Sequence, residues 1–381
     1  MLSTLPFHSN PVSIARRRDL LLRASLGSQE KARPAYAAWR ASGPPTLSEV
    51  SPSERSLIPL LSPRVQELTD DEAERESIRN AFREAWARNL RLVTAAAPAV
   101  EALRAAGLRV VLLKGAALAF SQYESPGLRP MNDVDLLVPA RSAAAARRVL
   151  EDAGYAPAMH HVDGFLESIH GLAFVGPEGL EVDLHWHTLL ERPADAADAI
   201  LFENASPLSI PGLSALAPSP EGHLLLVAVH AQRWSAVPHF VGFADTVVLL
   251  GRCREDRLLA MAGTARELGL LSPLARTLTA VEAALPGTVP PSITLELERE
   301  EPSLVDRFEA LLRRRPPGLL SGLTLHWLAH RGASPEATTG ERLASFPARM
   351  RHVWGVADGT PLAAEAFRRA SYRIGPGRGP A

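Results

Sequence analysis

Hydrophobic and polar positions change their period twice along the chain. Up to about residue 95, apolar residues recur at helical spacing in Arg17–Leu26, Val65–Glu76 and Ile78–Leu92, with a Pro/Ser-rich stretch from Ser42 to Pro63 between them. Past Ala96, short apolar runs alternate with helical ones, as in an α/β or α+β unit. Val100–Ala106 predicts a short helix stopped by Gly107, and VVLLK at 110–114 a strand. Next come a helix from Gly115 to about Tyr123, a turn at ESPG (124–127), the strand NDVDLLVP (132–139) and a Ser142-capped helix to about Ala153. Two further strands, Leu172–Val175 and LEVDLHW at 180–186, flank a Gly-Pro-Glu-Gly turn. From residue 191 the period is helical again, clearest in Pro220–Gln232, Phe240–Cys253, Asp256–Leu268 and Ala275–Leu285. Residues 286–302 read as a Pro-rich acidic linker, 303–314, 319–330 and 361–371 as helices, and 375–381 as a disordered tail. The expected organisation is α+β: a core at 96–190, with helical modules at 1–95 and 191–374.

Composition narrows what this architecture can do. The 46% hydrophobic and 22% charged fractions exclude a disordered, collagenous or coiled-coil chain, and 381 residues suit two or three domains. The longest strictly apolar run, the six residues Leu224–Val229, is far short of the roughly 20 that span a bilayer, so no membrane role is expected. The first residues lack the order of charges, apolar core and cleavage site of a signal peptide, and Cys253 is the sole cysteine. Both point to a cytoplasmic location. With 41 basic against 42 acidic residues, no global positive field draws in long nucleic acid. Among the 41 cations, only Lys31 and Lys114 are lysines, which suggests a coding bias towards arginine that makes a surviving lysine notable. Lys114 ends an apolar strand before a glycine, whereas Lys31 sits in a polar, Pro-flanked stretch.

The candidate chemistry gathers around these strands. Asp133 and Asp135 are two apart, so their carboxylates share one strand face. Two adjacent acids repel unless water screens them or a divalent cation such as Mg²⁺ or Mn²⁺ neutralises them. A solvated strand end is the plainer alternative, but the flanking Leu136, Leu137 and Val138 argue for a buried central strand. Asp183 lies in phase with Glu181 and His185 on a second apolar strand, and would serve as metal ligand, general base or both if that strand is a neighbour. His185 could support the site or contact phosphate; His187 is read as solvated. Lys114, Gly115 and Ala116 join a strand end to a helix start, where backbone N–H groups and the helix dipole can face phosphate. Arg129, just ahead of the acids, would hold phosphate or pair with an acid.

In order, LLKGAAL, Tyr123, GLRPMNDVDLLV, GYAP at 154–157 and VDLHW resemble the nucleotidyltransferase fold of the DNA polymerase beta superfamily, most closely an uncharacterised bacterial nucleotidyltransferase family. The helix around Asn89, the His230 helix and FADTVVLLG at 243–251 extend the resemblance over most of the chain. Toxin-type nucleotidyltransferases are a looser match. The resemblance implies that Asp133, Asp135 and Asp183 bind two divalent ions, Mg²⁺ or Mn²⁺, that an NTP is the substrate, and that Asp183 is the base. Where the superfamily commonly has Gly-Ser, this chain has Gly115-Ala116, so the serine contact to phosphate is missing. His230 and Asp245, on successive helices, would line the cleft opposite the acids or pair structurally. Arg233 and Trp234 would add a stacking or phosphate contact. The acceptor is open among a small molecule, a peptide, a protein side chain and an RNA end. A metal-dependent phosphoesterase and a non-catalytic nucleotide-binding or antitoxin-like module are the competing readings.

Overall fold

The alternating segments meet in one mixed sheet, in the computed structural model of the chain, which describes residues 11–371 apart from 45, 159–169, 178, 180, 190–194, 233–237, 300–303, 314–318, 334–336, 355 and 357–360. The expected tail at 375–381 lies outside the described residues. Helices α1 (Pro11–Leu26) and α2 (Gln29–Ala41) open the chain. Lys31 is an exposed residue of α2, a helix the proline pattern obscured: Pro34 sits inside it, held by the buried Ala32, Ala35, Tyr36 and Trp39. Short helices α3 (Pro52–Arg55) and α4 (Val65–Leu68) flank a 3-10 stretch at Ile58–Arg64. Ile58, Leu60 and Leu61 are buried there, so the Pro/Ser-rich segment contributes core.

Helix α5 (Glu72–Ala105) runs for 34 residues and merges the segments read at 78–92 and 100–106 with the end of the one read at 65–76, whose start is α4. Asp71 caps its start by accepting from the Ala73 and Glu74 amides, which sets the break after α4. Pro98 lies inside it; burial of Ala96, Ala99, Val100 and Leu103 against the sheet outweighs the lost backbone hydrogen bond.

The alternating unit follows as β1 (Val111–Leu112), α6 (Lys114–Ser121), β2 (Val134–Leu137), α7 (Ala143–Asp152), β3 (Ala156–Pro157), β4 (Gly171–Val175) and β5 (Glu181–His185). After α8 (Asp195–Glu203) comes a hairpin that the pattern did not predict, β6 (Ser206–Ile210) and β7 (Leu213–Ala217), turning through Gly212 at φ 78°. The seven strands lie in the order β3-β4-β5-β2-β1-β7-β6, with β2 parallel to β5 and β1 parallel to β7. The sheet thus draws on residues beyond 190, and α5 runs through residue 95.

Helices α9 (Pro220–His230), α10 (Phe240–Leu250), α11 (Glu255–Glu267), α12 (Leu271–Ala284) and α13 (Pro291–Glu298) follow. The last occupies the stretch read as a linker, because Ile293 is fully buried. Helices α14 (Leu304–Arg313), α15 (Leu319–Ala333), α16 (Thr339–Trp354) and α17 (Leu362–Ser371) close the described chain. Among the described residues, no helix is long and apolar enough to cross a membrane.

The alternation of strand side chains decides where the acids point. Val134, Leu136, Val182, Leu184 and Leu112 pack with α5 and α7 in one apolar cluster. Val111, Leu113 and Leu137, in the opposite phase, join α1, α2 and α9 to α12 in another. Asp135, Asp183 and His185 share the second phase and therefore face the helical modules. These modules share a single core, and Arg23 of α1 seals them by donating to the Ala284 carbonyl of α12 at 2.6 Å. The α+β class, with a mixed sheet packed by helices, is as the sequence predicts.

Candidate active site

Parallel pairing of β2 with β5 sets Asp135 opposite Asp183 and Leu137 opposite His185. The two acids therefore stand on adjacent strands and the same face. Asp135, Asp183 and His185 bring one potential ligand atom each within 4.8 Å of one another. Asp133, just before β2, is half-buried and lies outside the trio whose ligand atoms meet. A donor set dominated by carboxylate oxygens fits Mg²⁺ or Mn²⁺.

Electrostatics separate the three acids. Burial and then the Asp135 charge push the Asp133 pKa up to about 6. Asp183 is likewise raised, by burial first, against the pull of His185. Burial alone would raise Asp135 too, but Lys114 and His185 hold it well below the usual carboxylate range. The Lys114 Nζ donates to Asp135 Oδ1 at 2.6 Å, and His185 Nε2 lies 2.9 Å from the same oxygen. Like charges crowded at a partly buried place, with one cation already drawn in, are the environment that a divalent ion relieves.

Lys114 opens α6 with φ at 40°, the one positive φ outside glycine among the described residues. Such a backbone costs on the order of 1 kcal/mol for an L-residue. No side chain caps this helix start, so its first N–H groups have no intrahelical acceptor. Gly115 is dictated by close approach: a Cβ there would sit 2.8 Å from both Arg129 Nη1 and Met131 Cβ. Ala116 turns its side chain into the cluster under α5.

Arg129 is buried, and its guanidinium grips Asp245 of α10 through Nη2 at 2.8 Å and Nε at 3.2 Å. Tyr123 adds a 2.7 Å hydrogen bond to the same carboxylate. Burial opposes the Arg129 charge, yet Asp245 more than restores it, so its pKa rises above the ordinary arginine value. Asn89 of α5 holds the other side of the loop, donating to the carbonyls of Pro126 at 2.7 Å and Arg129 at 2.8 Å and accepting from the Met131 amide at 3.2 Å. The loop that delivers the acids is thus clamped between two helices.

His230 is not part of the trio of Asp135, Asp183 and His185; its ring lies 5.0 Å from that of His239. His187 is paired, not solvated as expected: its Nδ1 is 2.7 Å from Asp198 of α8, which also accepts from the Thr188 amide and hydroxyl. The buried Asp198 needs these donors, and β5 gains an anchor at its end. Arg233 and Trp234 lie outside the described residues. Sequence reasoning passed over His223 on α9. This imidazole is fully buried, neither nitrogen has a hydrogen-bond partner, and burial, with Arg129 nearby, pushes its pKa down to about 3. Its one signal was a histidine amid the apolar LLLVAV helix.

A family model described as an uncharacterised nucleotidyltransferase matches residues 53–286, more than half of the chain. No curated protein matches. Among solved structures, a lincosamide antibiotic adenylyltransferase with lincomycin bound is similar at 16% identity and a TM-score of 0.26, over 39% of this chain and 90% of its own. An antigenic nucleotidyltransferase-like protein from Paracoccidioides brasiliensis is similar at 17% identity and a TM-score of 0.30, over 49% of this chain and 91% of its own.

Proposed function

As the chain belongs to the uncharacterised nucleotidyltransferase family, we propose that it moves a nucleoside monophosphate from an NTP to a hydroxyl or similar acceptor, releasing pyrophosphate, in a reaction that requires Mg²⁺ or Mn²⁺. The observation that carries this reading is the in-register pairing of Asp135 with Asp183, with His185 beside them. Asp133, Asp135 and Asp183 would hold the divalent ions, two by the superfamily pattern. When bound, such ions neutralise the carboxylates and the charge that develops on the phosphates in an in-line displacement.

The chain's own groups supply the rest. Asp183, whose proton affinity is lifted by burial, takes the proton of the attacking hydroxyl. Lys114 and the uncapped N–H groups at the start of α6 bind phosphate oxygens in place of the missing serine. His185 orients Asp135. Arg129, tied to Asp245, positions the loop ahead of the acids.

Pyrophosphate release from each of the four NTPs, with Mg²⁺ or Mn²⁺ and cell extract as acceptor source, tests the reading. The wild type is expected to turn over, and the Asp133→Ala/Asp135→Ala variant to lose at least about a thousandfold. Release of inorganic phosphate instead would select the phosphoesterase, and NTP binding without turnover the nucleotide-binding module.

A further inference from the structure

We propose that Lys114 is a built-in counter-cation that a divalent ion must displace from Asp135, so that metal and triphosphate strengthen each other's binding. The inference rests on the nucleotidyl-transfer reading of the same site. Its ground is the 2.6 Å contact between Lys114 Nζ and Asp135 Oδ1, the oxygen that His185 also approaches, inside the trio suited to a metal. A divalent ion on Asp135 and an ammonium on the same oxygen repel each other, so one excludes the other.

Three features fit an exchange rather than a permanent ion pair. Lys114 holds a left-handed backbone, a strained conformation of the kind that gathers at ligand clamps and switches. It keeps a lysine here although 39 of its 41 cations are arginines, and an ammonium is a compact charge on a flexible stem, able to leave. Lys114 also stands at the uncapped start of α6, so an ammonium released from Asp135 is already beside N–H groups that attract phosphate. Metal and triphosphate then help each other: one frees the lysine that the other binds. That coupling is reciprocal by linkage.

The scarcity of lysine makes the displacement directly observable. In wild-type protein labelled with ¹³C-lysine there are two side-chain signals, from Lys114 and from the exposed Lys31 of α2. Titration with Mg²⁺ alone is expected to move the Lys114 signal saturably and leave Lys31 in place. In calorimetry with Mn²⁺ alone, Lys114→Met is expected to bind at least about tenfold more tightly than wild type, the low end of what one neighbouring charge does. Lys114→Arg should stay weak. A Lys114 signal unmoved at saturating Mg²⁺ overturns the inference, as does a Lys114→Met variant, folded by circular dichroism, that binds Mn²⁺ no more tightly. Pyrophosphate release with an unmoved signal removes the lysine exchange and leaves nucleotidyl transfer standing. A moved signal without pyrophosphate release does the reverse.

Discussion

Two groups of buried charges flank the loop 126–133, and they are built on opposite terms. Around Arg129, Asp245, Tyr123 and Asn89, each charge meets an opposite charge and the polar atoms have partners. Around Asp133, Asp135 and Asp183, three acids share one lysine, and two of them have proton affinities above the ordinary carboxylate. The first group is complete in the chain itself. The second is complete only with something added. A buried charge that finds its partner inside the protein marks architecture; one left crowded marks a place for a ligand.

Substitution at the two groups should therefore move stability in opposite directions. Asp245→Ala strands the Arg129 guanidinium and is expected to cost about 3–5 kcal/mol in denaturant unfolding. Asp133→Asn removes a repelling charge and is expected to stabilise at pH 8. The sign follows from its raised pKa: the folded protein holds this proton up to about pH 6, beyond the unfolded chain, so stability is lost as pH rises through that value. The gain is on the order of 1 kcal/mol. Equal destabilisation by both variants would erase the contrast.

The grouping of the second set was legible in the sequence, whereas Arg129 and Asp245 stood out singly and not as partners, for a physical reason. Asp133 and Asp135 are local: strand alternation alone puts them on one face, and Asp183 with His185 repeats the pattern on a second apolar run. Arg129 and Asp245 are 116 residues apart, and no period links them. The same split runs through the fold. The strands with strong β-branched runs were visible, whereas α2 and the continuity of α5 were obscured by Pro34 and Pro98, which tertiary burial overrides. The hairpin β6–β7 was missed because its residues, SPLSI and LSALA, carry little strand propensity and owe their conformation to pairing on β1.

Gly115 is where the two groups touch, so it tests whether they are mechanically joined. A methyl group there meets Arg129 Nη1 and Met131 Cβ at 2.8 Å, and Arg129 cannot yield without loosening Asp245. Gly115→Ala is expected to cost about 1–3 kcal/mol. It should also impair pyrophosphate release at temperatures where the variant is folded, because the Lys114 turn moves with its neighbour. Full activity with lowered stability would show that the clamp and the acids are independent.

His223 sharpens the comparison furthest, because both Arg129 and Asp135 act on it while neither of its nitrogens has a partner. Its pKa is pushed down to about 3 in the folded protein, against about 6.5 in an unfolded chain. Between those values the unfolded chain takes up a proton that the folded one refuses, so stability falls as pH falls below about 6.5. The loss is about 1.4 kcal/mol per pH unit. His223→Leu removes this slope, and urea unfolding of the two proteins at pH 6.5 and pH 5.5 should show the wild type losing about 1 kcal/mol more than the variant, short of the full slope because the unfolded imidazole is already half-protonated at pH 6.5. The variant should also be the more stable of the two at pH 7.5, because an apolar side chain of similar size has no unpaired nitrogens to keep dry. Parallel curves would mean that the buried imidazole is protonated after all. A variant weaker at pH 7.5 would mean that the imidazole has found a hydrogen-bond partner, as the groups around Arg129 and Asp245 have.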